Sequence, residues 1–144
     1  MHLAEGRFSL RHAKLSAGVL RYGRDESVAV IDSSQAGKSV QDCLGIPGTE
    51  QIPVVVNLEQ ALTFKPDTLL IGTTPPGGQI ASEMRGTLRQ AITLGLNIVS
   101  GMHQFLADDP ELCELANKHQ VELRDLRKAT GVLPEQGMQN GCPE

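Results

Sequence analysis

The stretch Val28-Ala-Val-Ile-Asp-Ser-Ser-Gln-Ala-Gly-Lys-Ser39 decides the fold. It joins an apolar run to a polar turn and a helix start, the succession from which α/β proteins build ligand crevices. A Walker A loop needs a glycine five residues before Gly37, where this chain has Asp32, and the dinucleotide-binding G-x-G-x-x-G pattern is absent. The stretch therefore predicts the architecture of a nucleotide-binding fold without its usual phosphate signature.

The rest of the chain alternates short apolar runs with helical patterns. Strands are predicted over residues 28–31, 54–56, 68–71, 97–100 and 121–126, and helices over 38–44, 58–64, 80–95, 103–106 and 111–119. Asn57 is the predicted N-cap of the helix 58–64. Near-continuous apolar strands separated by helices are typical of a parallel sheet with both faces covered. We therefore expect an α/β three-layer sandwich with a mainly parallel sheet.

The charge distribution separates the start of the chain from the rest. Residues 1–24 carry five basic residues and one acidic residue, Glu5. Because the net charge of the whole chain is -4, the remainder has a net charge of about -8. Helical periodicity over residues 9–22 predicts a basic helical arm over 1–24 that meets an acidic surface of its own fold or of a partner. The α/β domain is then expected over 25–128, and a linker-like tail over 129–144.

Composition excludes several classes of function. The chain has three Phe, one Tyr and no Trp, too few aromatic side chains for a nucleic-acid partner. Cys43, Cys113 and Cys142 form no C-x-x-C pair, and no two histidines have metal-ligand spacing, so neither a disulfide framework nor a metal site is expected. No apolar run approaches the roughly 20 residues of a membrane span, and no signal peptide is present, which predicts a cytoplasmic protein without a membrane partner.

Several segments resemble, in order and spacing, a bacterial and archaeal family long described as of unknown function. The resemblance covers residues 17 to 127. It rests on the segments Ala29-Val-Ile-Asp-Ser33, Ala36-Gly-Lys38, Ile52-Pro-Val-Val-Val56, Leu58-Glu-Gln-Ala-Leu62, Pro66-Asp-Thr-Leu-Leu-Ile-Gly72, Pro76-Gly-Gly78, Ser100-Gly-Met-His-Gln-Phe-Leu106, Asp108-Asp-Pro-Glu-Leu112 and Asp125-Leu-Arg127. It implies a Rossmann-like N-terminal domain that family members pair with a C-terminal P-loop domain.

The same resemblance implies an activity. One branch of the family looks like D-glutamate N-acetyltransferases, which use acetyl-CoA to acetylate the amino group in D-amino-acid catabolism. This chain ends at Glu144 without a P-loop motif. The resemblance therefore implies the N-terminal half alone, which binds a ligand but is inactive without a P-loop domain supplied by the same or a separate chain. Acetyl-CoA is the cofactor that the resemblance implies.

The first candidate ligand site is the turn 32–39, at the carboxyl end of a predicted strand, where open α/β sheets bind ligands. The ligand-binding candidates in this turn are Asp32, Ser33, Gly37, Lys38 and Ser39. Lys38, Ser39 and the N–H groups of the following helix would hold a small anionic ligand, and Asp32 would orient a ligand hydroxyl. The alternative is a tight turn in which Ser33 or Ser34 caps the helix and Asp32 orients the turn itself.

The second candidate ligand site is the loop 73–79, Thr73-Thr-Pro-Pro-Gly-Gly-Gln79. Thr73 and Thr74 supply hydroxyl groups, while Gly77 and Gly78 let backbone N–H groups approach a ligand. The alternative is a rigid connector between a strand and a helix. In a parallel sheet both turns emerge at one edge, so we expect them to line one crevice.

His103 is the catalytic candidate, because it follows the strand 97–100 and would face this crevice as a general base. The alternative is a core or capping histidine. Asp108 and Asp109 resemble a pair of catalytic carboxylates, but the following Pro110 favours a helix cap.

Two other functions stay open. A structural module would use the basic first helix and an exposed sheet edge for homo-oligomer or interdomain contacts. A dinucleotide-binding domain of a redox enzyme is the third reading, which the missing glycine pattern disfavours.

Overall fold

The computed structural model describes residues 1–127. Six parallel strands form one sheet in the order β3-β2-β1-β4-β5-β6. The strands are β1 (His2–Leu3), β2 (Val30–Ile31), β3 (Val54–Val55), β4 (Thr68–Ile71), β5 (Asn97–Ser100) and β6 (Leu123–Asp125). The helices are α1 (Lys14–Tyr22), α2 (Val40–Leu44), α3 (Leu58–Leu62), α4 (Ser82–Thr93) and α5 (Pro110–His119), with short 3-10 turns at Ser33–Gln35, Pro76–Gly78 and Leu106–Asp108.

The sheet confirms the predicted α/β sandwich, and β4 and β5 have the predicted bounds. The expectation of a basic helical arm over residues 1–24 needs correction, because His2–Leu3 is a central strand and only Lys14–Tyr22 is helical. A two-residue strand shows no periodicity, and its residues were assigned to the basic arm. The predicted tail, 129–144, lies outside the described residues.

Helix starts follow the caps that the sequence predicted. The Asn57 side chain accepts a hydrogen bond from the N–H of Gln60 at 3.0 Å and starts α3. The Asp109 side chain accepts from the N–H of Leu112 at 3.1 Å and starts α5, so the capping role is confirmed. The predicted helix 103–106 is instead the 3-10 turn Leu106–Asp108, whose backbone is tied to Asp125 at the end of β6.

The two faces of the sheet are covered to different extents. On the first face, α3, α4 and α5 pack over a core that includes Leu69, Ile98 and Leu123. On the second face, the core is smaller and joins α1 and α2 to the side of the sheet that holds β2 and β3. Among residues 1–127, α1 is the helix that approaches the second face of β4 and β5, and it does so at the ends of these strands. No helix within residues 1–127 is long and apolar enough to span a bilayer.

Helix α1 approaches the sheet closely because two glycines leave room for it. A Cβ atom at Gly72 would lie 1.7 Å from the Ser16 Oγ, and one at Gly101 would lie 2.7 Å from a methyl carbon of Leu15. The buried ring of His2 fixes the same region, since its Nδ1 and the Ser16 Oγ are 2.9 Å apart. These contacts place the first turn of α1 over the ends of β4 and β5.

Candidate functional site

The strand order creates one natural crevice. From β1 the chain crosses to β2 and β3 on one side of the sheet, whereas from β4 it crosses to β5 and β6 on the other. The loops that follow β1 and β4 therefore diverge at the carboxyl edge. Open α/β sheets bind their ligands at such a switch point.

A cavity of about 250 Å³ lies at this edge, and we call it the carboxyl-edge cavity. Its walls come from the first turn of α1 and from the segments that follow β4, β5 and β6. The lining residues are Leu15, Ile71, Thr73, Thr74, Gly101, Leu126 and Arg127. Apolar walls with a few hydroxyl groups and one cation are the typical composition of a small-molecule site.

Arg127 supplies the positive charge of the carboxyl-edge cavity. Its Nε donates a hydrogen bond to the carbonyl oxygen of Gly101 at 2.6 Å, which fixes the guanidinium beside the end of β5. A guanidinium held in this way can still present its two terminal nitrogens to a carboxylate or phosphate. Sequence reasoning missed this residue, although its position just beyond a strand end was an available signal.

The loop 73–79 contributes to the cavity through its threonines. Thr73 is buried and Thr74 is exposed, and both line the cavity. Gly77 and Gly78 have φ values of 77° and 68°, a left-handed conformation that favours glycine. The Gly78 N–H donates to the carbonyl oxygen of Pro75 at 2.8 Å, so this N–H closes the turn.

His103 lies against the loop 73–79 rather than in the cavity wall. A Cβ atom at Gly78 would lie 3.0 Å from both the Cβ and the Cδ2 of His103, so the imidazole packs on this glycine. The next residue ties the two loops together, because the Gln104 Oε1 accepts from the N–H of Ile80 at 2.8 Å. His103 is exposed, and its role in proton transfer stays a prediction.

Asp32 occupies the end of β2, the position from which dinucleotide-binding sheets reach a ribose hydroxyl. Here the carboxylate is fully buried and accepts hydrogen bonds from the protein. Its donors are the N–H groups of Gly6 (3.1 Å), Phe8 (3.0 Å) and Ser34 (2.9 Å) and the Ser34 hydroxyl (2.6 Å). These bonds join the loop after β1 to the turn after β2, as the second reading of Asp32 expected.

The rest of the turn 32–39 also bonds to the protein. The Ser33 N–H and hydroxyl donate to Glu5, and Ser39 forms a capping box with Asp42 at the start of α2. Gly37 has a φ of 91°, and its N–H donates to the carbonyl oxygen of Val54 at 3.0 Å. Lys38 is exposed, with its Nζ 3.3 Å from the Gln35 Oε1.

The two predicted ligand turns therefore lie at the same edge of the sheet but differ in surroundings. Thr73 and Thr74 line the carboxyl-edge cavity, whereas no residue of the turn 32–39 does. β1 and its following loop separate the two turns. Among residues 1–127, no three His, Cys, Asp or Glu side chains come together as a metal site.

An acidic pair outside this edge has a structural use. Arg85 of α4 bonds to Asp109 and, at 2.9 Å, to Glu111 of α5. The hydrogen bond from Arg85 holds the pKa of Asp109 below its usual value. Asp109 therefore caps α5 and clamps two helices.

The parallel strand order β3-β2-β1-β4-β5-β6, which changes direction between β1 and β4, defines a Rossmann-like α/β domain. A family model described as "Domain of unknown function (DUF1611_N) Rossmann-like domain" matches residues 33–129, and the chain belongs to this family. A crystal structure of a DUF1611 family protein from Anabaena variabilis is similar, with a TM-score of 0.80 and 32% identity. The matched region covers 94% of this chain and 38% of the chain in that crystal structure.

Two curated relatives carry the name D-glutamate N-acetyltransferase. The protein from Tritonibacter scottomollicae is 32% identical over 122 residues, which are 85% of this chain and 33% of the relative. The protein from a Pseudoalteromonas species is 32% identical over 89 residues, 62% of this chain and 26% of the relative. The matched part of this chain thus spans about a third or less of the length of these relatives.

Proposed function

We propose that this chain is the N-terminal Rossmann-like ligand-binding domain of a cytoplasmic D-glutamate or D-amino-acid N-acetyltransferase. Its carboxyl-edge cavity would form one wall of the amino-acid site. The observation that carries the proposal is that Arg127, Thr73 and Thr74 line one cavity at the carboxyl ends of β4, β5 and β6. The relatives named D-glutamate N-acetyltransferase supply the substrate class.

The size and charge of the cavity favour a small carboxylate. Its volume of about 250 Å³ is below the roughly 300–1,000 Å³ of pockets for drug-sized ligands. An Arg guanidinium pairs with a carboxylate through two parallel hydrogen bonds, and threonine hydroxyl groups can donate further ones. D-glutamate, with two carboxylates on a short chain, has this chemistry.

Acetyl-CoA does not fit the same cavity. The lining residues include one cation, Arg127, for a cofactor with three phosphate groups, and the volume is small for its adenosine and pantetheine parts. Acetyl transfer would need surfaces outside residues 1–127, in agreement with the greater length of the relatives.

A thermal-shift and calorimetric titration of the purified chain with D-glutamate tests the proposal. A ligand that binds the folded state alone raises the melting temperature. Arg127→Gln should weaken D-glutamate binding about tenfold or more, because it removes a charge-assisted pair. Arg89→Gln, which removes the same charge from the exposed face of α4, should leave the affinity unchanged. Equal affinities in both variants would exclude the carboxyl-edge cavity.

A further inference from the structure

The carboxyl-edge cavity has a buried side and an exposed side. On the buried side, Ile71 is 1% exposed and Thr73 is 4% exposed. Thr74, Leu126 and Arg127 also line the cavity but are exposed, so they form its rim. A ligand that pairs with the guanidinium group at the rim can therefore extend inward along an apolar wall to one buried hydroxyl group.

The hydroxyl group of Thr73 is the polar side-chain group on the buried side. Within residues 1–127 it makes no hydrogen bond to another protein group. In the same part of the chain, the side-chain oxygen that is sealed from solvent without a partner is the Oε1 of Gln41, so the Thr73 oxygen remains accessible. Buried hydroxyl groups almost always bond to protein, water or a ligand. The Thr73 hydroxyl can therefore bond to a molecule in the cavity.

Hydrogen bonds on both sides of Thr73 hold its backbone in place. Before it, the Gly72 N–H donates to the carbonyl oxygen of Leu3 at 3.0 Å within the sheet. After it, the Gln104 N–H donates to the carbonyl oxygen of Gly78 at 3.2 Å, and the Gln104 Oε1 accepts from the N–H of Ile80. A polar group that is already fixed binds a ligand at a smaller cost in conformational entropy.

The exposed rim suits the amino group of a substrate under the proposed function. The amino group and one carboxylate of D-glutamate are attached to the same carbon atom, so pairing of this carboxylate with Arg127 would keep the amino group at the rim. The amino group has to stay accessible, because acetyl-CoA does not fit the cavity. The side chain would then point to the buried side, with its methylene groups against Leu15 and Ile71.

We infer that Thr73 selects the substrate side chain, because its hydroxyl group donates a hydrogen bond to an oxygen atom at the end of that side chain. This inference rests on the proposed function. It assigns the site to D-amino acids whose side chain ends in a hydrogen-bond acceptor, such as D-glutamate and D-glutamine. D-norvaline, whose side chain ends in a methyl group, is disfavoured because it leaves the buried hydroxyl without a partner.

Calorimetric titration of the purified chain with these three ligands tests the inference. D-glutamine and D-norvaline have the same net charge and differ at the end of the side chain, so Arg127 attracts them equally. We expect D-glutamine to bind about tenfold more tightly than D-norvaline, which is the effect of one hydrogen bond.

Substitutions of Thr73 assign this preference to its hydroxyl group. Thr73→Val keeps the shape of the side chain, and it should lower the affinity for D-glutamine about tenfold, to that for D-norvaline. Thr73→Ser keeps the hydroxyl and should retain the preference. Thr74→Val makes the same change at the rim and should also retain the preference, because Thr74 is exposed.

Two results would overturn the inference. The first is an equal loss of affinity for all three ligands in Thr73→Val, which indicates a structural role. The second is an equal affinity of the unsubstituted chain for D-glutamine and D-norvaline, which needs no folded variant. Both results leave the proposed function standing if Arg127→Gln still weakens D-glutamate binding, whereas no binding of D-glutamate to the unsubstituted chain would refute the proposed function and this inference together.

Discussion

The two turns that follow β2 and β4 lie at the same edge of the sheet, but their polar side chains have different surroundings. In the turn 32–39, the carboxylate of Asp32 and the hydroxyl of Ser39 bond to the protein's own backbone. In the loop 73–79, Thr73 and Thr74 border a cavity that also receives Arg127. Under the proposed function, the polar residues that border a cavity form the ligand site, whereas those that bond to the protein's own backbone have a structural role.

Asp32→Ala should give the largest effect, because it removes the acceptor of four hydrogen bonds that are buried or part-buried. We expect a loss of about 3 kcal/mol or more in the free energy of unfolding, measured by urea denaturation. Ser33→Ala, in the exposed part of the same turn, should cost less than about 1 kcal/mol. If Asp32→Ala kept the stability and lost D-glutamate binding, the turn 32–39 would be the ligand site.

Gly72→Ala tests the scaffold of the carboxyl-edge cavity. A Cβ atom there overlaps the Ser16 Oγ at 1.7 Å and must push α1 away from β4. We expect a loss of about 2–3 kcal/mol in thermal or urea unfolding. Gly86→Ala, where nothing lies within 4 Å in the exposed middle of α4, should instead raise the stability by up to about 1 kcal/mol. If Gly72→Ala left the free energy of unfolding unchanged, the close packing of α1 on β4 would be contradicted.

The buried ring of His2 should make stability depend on pH. Burial and, as a smaller contribution, the positive charge of the neighbouring amino terminus together lower the pKa of His2 to about 3. The unfolded chain binds a proton near pH 6.5 and the folded chain does not, so stability falls as the pH drops from about 6.5 towards 3. The expected slope is up to about 1.4 kcal/mol per pH unit.

Urea unfolding between pH 7 and 4 measures this slope. His2→Asn should flatten it, whereas His12→Asn, at an exposed position, should leave it as in the unsubstituted chain. The slope reports on the cavity region and not on the turn 32–39. His2 bonds to Ser16 in the first turn of α1, which lines the carboxyl-edge cavity, whereas the turn 32–39 contains no histidine. The same slope in His2→Asn would show that His2 is not the titrating group.

Lys38→Ala should give the smallest effect. The side chain is exposed and bonds to Gln35, so we expect a stability change within about 0.5 kcal/mol. D-glutamate affinity should also change less than about threefold if the carboxyl-edge cavity is the site. If calorimetry showed a tenfold loss of D-glutamate affinity, the turn 32–39 would be the anion site, as its sequence predicted.

Much of the fold could be predicted from the sequence because its signals are local. The apolar runs 68–71 and 97–100 gave strands with the observed bounds, and Asn57 and Asp109 cap α3 and α5 as expected. β1 was missed, since two residues cannot display a period and the strand is defined by its neighbours β2 and β4.

The candidate site was harder to predict because it depends on contacts between distant segments. Thr73 and Thr74 were found from their position after a strand, but Arg127 joins them through packing across β4, β5 and β6. Asp32 drew attention as a polar group at a strand end. Its partners Gly6 and Phe8 lie in a loop that the sequence assigned to a separate arm.

The most direct test of the comparison is a map of backbone amide shifts in ¹⁵N-labelled protein during titration with D-glutamate. Our account predicts that the largest changes fall on Thr73, Thr74 and Gly101, with little change for residues 33–39. In Arg127→Gln the same changes should require about tenfold more D-glutamate or more. Large changes confined to residues 33–39 would contradict it and assign the ligand to the turn after β2.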